Sequence, residues 1–373
     1  MNSRTLKIAL LGAETGLGLE LYRALRANSS NDVLPFVPRR PSARLGLDGW
    51  VLCDLARPAD LALFLEGTDI VIHAAGPFSG AHQGIVATAI EAGAHYFDLC
   101  DDRLYLQNIE GRDFLARERG VSIVSGLLPC PGMSTVLATD LVEGWSTVKS
   151  LRVYLWPGEM LLRSRAYFSG LFEMVGTPIA RREWKSTVSV LGWDEPEQVG
   201  FLDPIGTVTV RNGDVPDLDI SPRALGAEST VFKVGVDSLP LRWGLGWAAR
   251  LRRSFRRTTL GPLHRATVAA QRFSRSRRDA FMALRVTADG ECDGKRVTNS
   301  RSLAESRSRS GLVLGAVLHA IERARDNALG GVGVREGGTW TTPRALLDYL
   351  RERFDARVED DIGLEPEGGA DQP

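Results

Sequence analysis

Cysteine, lysine, histidine and long apolar runs are all scarce in this chain of 373 residues. The four cysteines, Cys53, Cys100, Cys130 and Cys292, are widely scattered, form no Cys-x-x-Cys pair and have no nearby histidine at metal-ligand spacing. That excludes a disulfide framework and a zinc site, and points to reduced thiols. No stretch reaches the roughly 18 to 20 uncharged apolar residues of a spanning helix. Net charge is also missing, with 46 basic against 46 acidic side chains. Bulk electrostatic attraction to nucleic acid is thereby excluded, though local patches are not. The five lysines, Lys7, Lys149, Lys185, Lys233 and Lys295, never stand four residues after a tyrosine. A Tyr-x-x-x-Lys carbonyl reductase or epimerase is therefore unsupported, as is a hydrolase with a Gly-x-Ser-x-Gly elbow.

What the chain does have begins at residues 6–25. An apolar run (Leu6, Ile8, Ala9, Leu10, Leu11) meets Gly12-Ala13-Glu14-Thr15-Gly16-Leu17-Gly18, and a helical pattern through Leu19, Leu21, Tyr22 and Leu25 follows at once. Strand, glycine loop and helix N-terminus together form a cradle for a pyrophosphate. The glycines allow a tight turn and a close backbone approach, and the helix end supplies free N–H groups. With no small-residue cleavage site after it, this run is expected to be the first strand rather than a signal peptide. The chain is then expected to be cytoplasmic.

Strand and helix patterns alternate onward to residue 147, the texture of a doubly wound α/β domain. Residues 33–40 end in Arg39 and Arg40, and no acidic residue lies between Asp32 and Asp48. At the end of the second strand an acidic side chain selects the free ribose hydroxyl of NAD, whereas arginine accepts the 2′-phosphate of NADP. The expected cofactor is therefore NADP(H) rather than NAD(H), with Arg39 and Arg40 as the clamp. Further cofactor positions are Asp54, closing a short third strand, and the small-residue turn Ala74-Ala75-Gly76-Pro77 after a strand at residues 69–72. Another strand end supplies Ser134 as a candidate cap for the helix after it.

After residue 150 the pattern turns to alternating strands with Gly and Pro turns, which predicts a second, mostly antiparallel sheet with few helices. Residues 148–310 are read as an α+β substrate or dimerisation domain. Helices in residues 311–358 close the first domain, and an acidic tail over 359–373 is expected to be disordered. Residues 241–278 hold no Asp or Glu. Trp243, Trp247, Leu251 and Phe255 recur at i, i+4 steps, with Arg250, Arg252, Arg253, Arg256 and Arg257 on the other sides. This pattern fits either an interfacial helix on anionic lipid or a helix packed on its own or a partner subunit's core. Nucleic acid is the poorer reading, since nothing else in the chain supplies a groove or stacking platform.

The glycine loop, the stretch from Asp69 to Asp102 with its Gly-Ala-His-Tyr-x-Asp, the turn before Ser134 and the helical segment after Gly311 resemble the saccharopine dehydrogenase-like (saccharopine reductase-like) oxidoreductases. The resemblance implies an NADP(H)-binding Rossmann domain, an α+β partner domain, and reduction of a C=N or C=C bond or its reverse. Such relatives include trans-acting enoyl reductases of lipid and polyketide pathways. The loop spacing, Gly-x-x-x-Gly-x-Gly, is nearer to that of short-chain dehydrogenases. Proton donors at strand ends are then sought among Asp98 and Tyr96, the favoured pair, and His73, Cys100 and Asp101. The middle aromatics Trp156, Tyr167, Phe168, Phe172, Trp184 and Trp193 suit a hydrophobic small-molecule substrate. The alternative is a non-catalytic NADP(H)-binding scaffold or sensor, and a homodimer is compatible with either.

Overall fold

The computed structural model describes residues 4–27, 31–76, 78, 82–254, 261–271, 280–306, 311–336 and 338–364. The first domain runs β1 (Leu6–Leu11), α1 (Gly16–Ala27), β2 (Asn31–Val37), β3 (Val51–Leu52), α2 (Pro58–Ala62), β4 (Ile70–His73) and α3 (Gln83–Glu91). It continues through β5 (His95–Asp98), α4 (Arg103–Glu110), α5 (Asp113–Glu118), β6 (Ser122–Ser125) and α6 (Ser134–Leu141). These six strands pair in parallel in the order β3-β2-β1-β4-β5-β6. In β1 both faces are buried: Leu6, Ile8 and Leu10 enter one core while Ala9 and Leu11 enter another. A parallel strand covered by helices on both sides demands such an unbroken apolar run.

The second domain contains β7 (Thr147–Trp156), α7 (Gly158–Arg163), α8 (Arg165–Met174), β8 (Pro178–Glu183), β9 (Ser186–Leu191), β10 (Glu197–Gly200) and β11 (Thr207–Asn212). Then follow α9 (Asp217–Leu225), β12 (Ser229–Gly235), α10 (Leu239–Ser254), α11 (Gly261–Gln271), β13 (Ala283–Cys292) and β14 (Lys295–Ala304). The chain returns through α12 (Gly311–Arg325), β15 (Gly333–Glu336), α13 (Pro343–Phe354) and β16 (Arg357–Leu364). The large second sheet has the order β10-β11-β12-β7-β13-β14-β16, with only β12 and β7 parallel. β8 and β9 form a separate hairpin.

Helices α4 and α5 are separated at Gly111 and Arg112. Three expectations are corrected here. Five helices, α7 to α11, interrupt a strand series expected to hold few. Their burial comes from non-local packing, which strand-like periodicity in their neighbours does not report. Ser134 does not cap α6: it begins the helix, its hydroxyl bonded to the Pro131 carbonyl at 3.2 Å and to the Asp217 carboxyl. The acidic stretch from Glu359 is ordered through Leu364, because β16 pairs with β14 and Arg301 joins Asp360 and Asp140. The guanidinium supplies the opposite charge that the tail's own composition lacks. Residues 365–373 lie outside the described residues.

Chain return also ties the two domains together. β15 becomes the seventh strand of the parallel sheet, pairing with β6, while β16 edges the other sheet. Across the junction Arg103, at the start of α4, reaches both carboxylate oxygens of Asp219, with the Nε contact at 2.7 Å, and Asp214 at 2.7 Å. It also donates to the Ala180 carbonyl at 3.0 Å.

Candidate functional site

The strand order reverses between β1 and β4, and ligands of such sheets sit in the crevice beyond the strand ends at this point. Gly12 closes β1 with φ +82°, and a Cβ there would lie 2.7 Å from that of Ala75. The glycine is thus required by both backbone conformation and close approach. Gly18 packs the first turn of α1 against the strand end, since a Cβ on it would fall 2.1 Å from the Gly12 carbonyl oxygen. Thr15 caps α1: its hydroxyl accepts from the Gly18 amide at 3.0 Å and donates to the Gly12 carbonyl at 2.8 Å. Gly16 is different. It is exposed, and a Cβ added to it would meet nothing within 4 Å. Among the described residues, no protein acceptor meets the amides of Gly16 and Leu17. Packing does not explain this glycine, whereas a phosphate approaching the helix N-terminus does. The side chains of Ala13 and Leu17 are buried, so only their backbone faces the crevice.

Beyond β2, Arg39 and Arg40 are exposed. Asp54 accepts from the Ala56 amide at 3.0 Å and lies 3.9 Å from Arg57. Ala74, Ala75 and Gly76 are partly accessible, while Pro77 lies outside the described residues. The sequence reading passed over Glu14. Its carboxyl is half-buried, its Oε2 has no hydrogen-bond partner among the described residues, and burial raises its pKa while Arg39 draws it down.

The structure places His73, Tyr96, Asp98 and Cys100 inside the protein, each at 0% exposure. Burial pushes His73 down to about 3, so the ring is neutral. Its Nε2–H donates to the Ala75 carbonyl at 3.1 Å and its Nδ1 accepts from the Tyr96 hydroxyl at 2.8 Å. Tyr96 in turn accepts from Tyr105 at 3.0 Å. Asp98 accepts from the amides of Gly126 (2.8 Å) and Cys100 (3.1 Å) and from the Ser125 hydroxyl (2.7 Å), which staples the ends of β5 and β6 together. Burial still raises its pKa to about 6. Cys100 accepts from the Asp102 amide, and burial holds its thiol protonated. These side chains are engaged in hydrogen bonds among themselves and to neighbouring residues.

Asp101, just past β5, and Tyr167, on α8 of the second domain, are partly accessible, and Tyr167 feels the Asp101 charge. Burial pushes Asp101 up to about 6. Burial, then the Asp101 charge, raises Tyr167 well above its ordinary value. Behind them Cys130, Ser134 and Asp217 are buried, and Asp217 Oδ2 has no partner among the described residues. Tyr167 and Asp217 come from the second domain, 66 and 116 residues after Asp101, so no local motif announces the cluster. Of the other middle aromatics, Trp156, Phe168, Phe172 and Trp193 are core residues and Trp184 is exposed at a hairpin turn.

No family model matches the sequence, and no curated protein sequence matches it. Solved structures do. Apo histidine-tagged saccharopine dehydrogenase (L-Glu forming) from Saccharomyces cerevisiae aligns with a TM-score of 0.66 over 96% of this chain and 100% of that one, at 11% identity. C. glutamicum DAP dehydrogenase in complex with DAP aligns over 94% and 99% of the two chains, with a TM-score of 0.47 and 14% identity. The chain therefore has the two-domain fold of saccharopine dehydrogenase, a Rossmann sheet joined to a mixed sheet.

Proposed function

We propose that the chain is an NADP(H)-preferring oxidoreductase that moves a hydride to or from a C=N or C=C bond of an apolar small molecule. The observation that carries the reading is Gly16, whose missing side chain leaves open space over unpartnered amides at the N-terminus of α1. When bound, a nicotinamide dinucleotide would supply the hydride in the reducing direction and accept it in the reverse. The amides of Gly16 and Leu17 would hold its pyrophosphate beside the Ala74–Gly76 turn. Arg39 and Arg40 would hold the 2′-phosphate by charge-assisted hydrogen bonds. Asp101 and Tyr167, partly accessible and contributed by the two domains, give or take the substrate proton. Phe78 and Tyr167, both partly accessible, supply aromatic walls for an apolar substrate.

Fluorescence titration with NADPH and NADH, on the wild type and on an Arg39→Ala, Arg40→Ala double variant, tests this. NADPH binding at least about tenfold tighter than NADH, with the preference lost in the variant, supports the reading. Binding of neither dinucleotide sinks it.

A further inference from the structure

We propose that the outer face of α10 docks the protein on an anionic lipid bilayer. The helix has two unlike sides. Leu241, Gly244, Leu245, Ala248 and Ala249 face inward, and Gly244 lets Thr267 of α11 pack against the helix backbone. On the other side Leu239, Trp243 and Trp247, one helical step of four apart, are 63%, 64% and 49% exposed. The tryptophans expected along one face therefore turn away from this chain's own core. Such a row of large apolar side chains is costly to leave in water and marks a contact surface.

The surroundings specify what the contact is. Residues 241–278 contain eleven arginines and no acid, so the rest of the chain holds 35 basic side chains against 46 acidic ones. Arg242 and Arg250 are exposed beside the apolar row, and the Arg250 guanidinium lies 5.6 Å from the Trp247 ring centre. A hollow of about 520 Å³ opens at the same place, walled in part by Trp193, Arg211, Arg242, Trp243, Trp247 and Arg250. Among the described residues, Asp194 is the one acidic residue on its wall. Tryptophan at the level of the headgroups with arginine at the phosphates is the arrangement of an interfacial helix. Arginines at this level are attracted by an anionic leaflet and are screened by salt.

Arg252 points the other way. It donates to the carbonyls of Phe172, Glu173 and Val175 at 3.2, 2.6 and 2.8 Å, so it fastens α10 to the end of α8. The exposed face is thus held in one orientation on the body. A second copy of the chain is a poor occupant, because a two-fold contact through this face sets arginine against arginine. No described helix is long and apolar enough to cross a membrane, so the contact lies in the plane of the surface.

Arg253 lacks a described side chain, and Phe255, Arg256 and Arg257 lie outside the described residues. The test therefore uses the full chain with substitutions on the described face.

Vesicles of phosphatidylcholine alone, and with roughly one third phosphatidylglycerol, are sedimented with the protein at low salt and at about 0.5 M salt. The expected result is co-sedimentation with the anionic vesicles only, weakened at high salt. Trp fluorescence should shift to the blue and be quenched by lipids brominated in the acyl chain. Trp243→Ser with Trp247→Ser should remove the quenching and lower partitioning about tenfold or more. Arg242→Gln with Arg250→Gln should lower it about tenfold while the circular dichroism of both variants stays native. These readouts need no dinucleotide, so their failure is separable from failure of the proposed chemistry. Sedimentation without quenching, unchanged binding in both variants, or binding to duplex DNA or an acidic protein in place of vesicles would overturn the proposal.

Discussion

His73 accepts a hydrogen bond from Tyr96 across 2.8 Å of sealed interior, and passes the constraint on to Ala75, whose backbone abuts Gly12. The pair thus connects the core beneath the sheet to the wall of the dinucleotide crevice. Tyr96→Phe keeps the ring and removes the hydroxyl, leaving the buried His73 Nδ1 unpaired. The expected cost is about 1–3 kcal/mol of stability. Denaturant unfolding measures it, together with a loss of dinucleotide affinity. A pH–rate profile that keeps its shape in the variant would assign Tyr96 to positioning, whereas loss of one limb would restore it as the acid.

Gly16 and Gly18 separate binding from folding. Gly16→Val has free space around it and should leave the melting temperature nearly unchanged while dinucleotide affinity falls about tenfold or more. Gly18→Ala drives a methyl into the Gly12 carbonyl and should destabilise the domain by about 1–3 kcal/mol. The reverse pattern, a folding defect in the valine variant and none in the alanine variant, would contradict the geometry.

This difference between two glycines of one loop could not be read from their spacing. The loop, the helix behind it and the doubly wound sheet were legible because apolar runs and glycines act over a few residues. Which glycine faces a strand and which faces open space depends on Ala75, brought alongside by β4.

Glu14 lies near enough to Arg39 to feel its charge, and on the proposed reading Arg39 holds the 2′-phosphate of NADP. Ionised, it opposes a second anion. Glu14→Gln should therefore tighten NADPH more than NADH, by about threefold to tenfold at neutral pH, and the gain should shrink as pH falls and the wild-type carboxyl protonates. Paired titrations at pH ~5 and ~7.5 check this; equal gains for both dinucleotides would place Glu14 away from the phosphate.

Asp217 is buried, and burial pushes its carboxyl up to about 7. The folded chain therefore keeps a proton that the unfolded chain loses near 3.8. The associated stability is complete below that value and disappears as pH rises through about 7. Asp217→Asn should remove this dependence. Relative to wild type, it should gain on the order of a few kcal/mol between pH ~4.5 and ~8 in urea unfolding. Parallel stability curves for the two proteins would show that Asp217 ionises normally.

Asp101 is partly accessible, and burial raises its pKa to about 6. With a substrate found by screening, Asp101→Asn should lower kcat about 10²- to 10⁴-fold while NADPH affinity holds, and should erase a limb of the pH–rate profile near 6. Retained turnover with an unchanged profile would move the proton step to Tyr167, and Tyr167→Phe then distinguishes the two.

By itself the sequence determined the parallel sheet, the glycine crevice, the arginines beyond β2 and the aromatic rhythm of α10, because each is a local pattern of apolar period, turn chemistry or charge. Tertiary structure decided the exposure on which chemistry depends. Tyr96, Asp98 and Cys100 occupy the strand and strand end that their pattern indicates, yet helices over both faces of the sheet seal them in. Asp101, next along the chain, stays partly accessible, and Tyr167, which feels its charge, arrives from the second domain. Likewise Trp243 and Trp247 share a helical face by sequence, but only the packing of Leu241 and Leu245 inward turned that face to solvent. Burial is summed over the whole chain, and no window of neighbouring residues contains it.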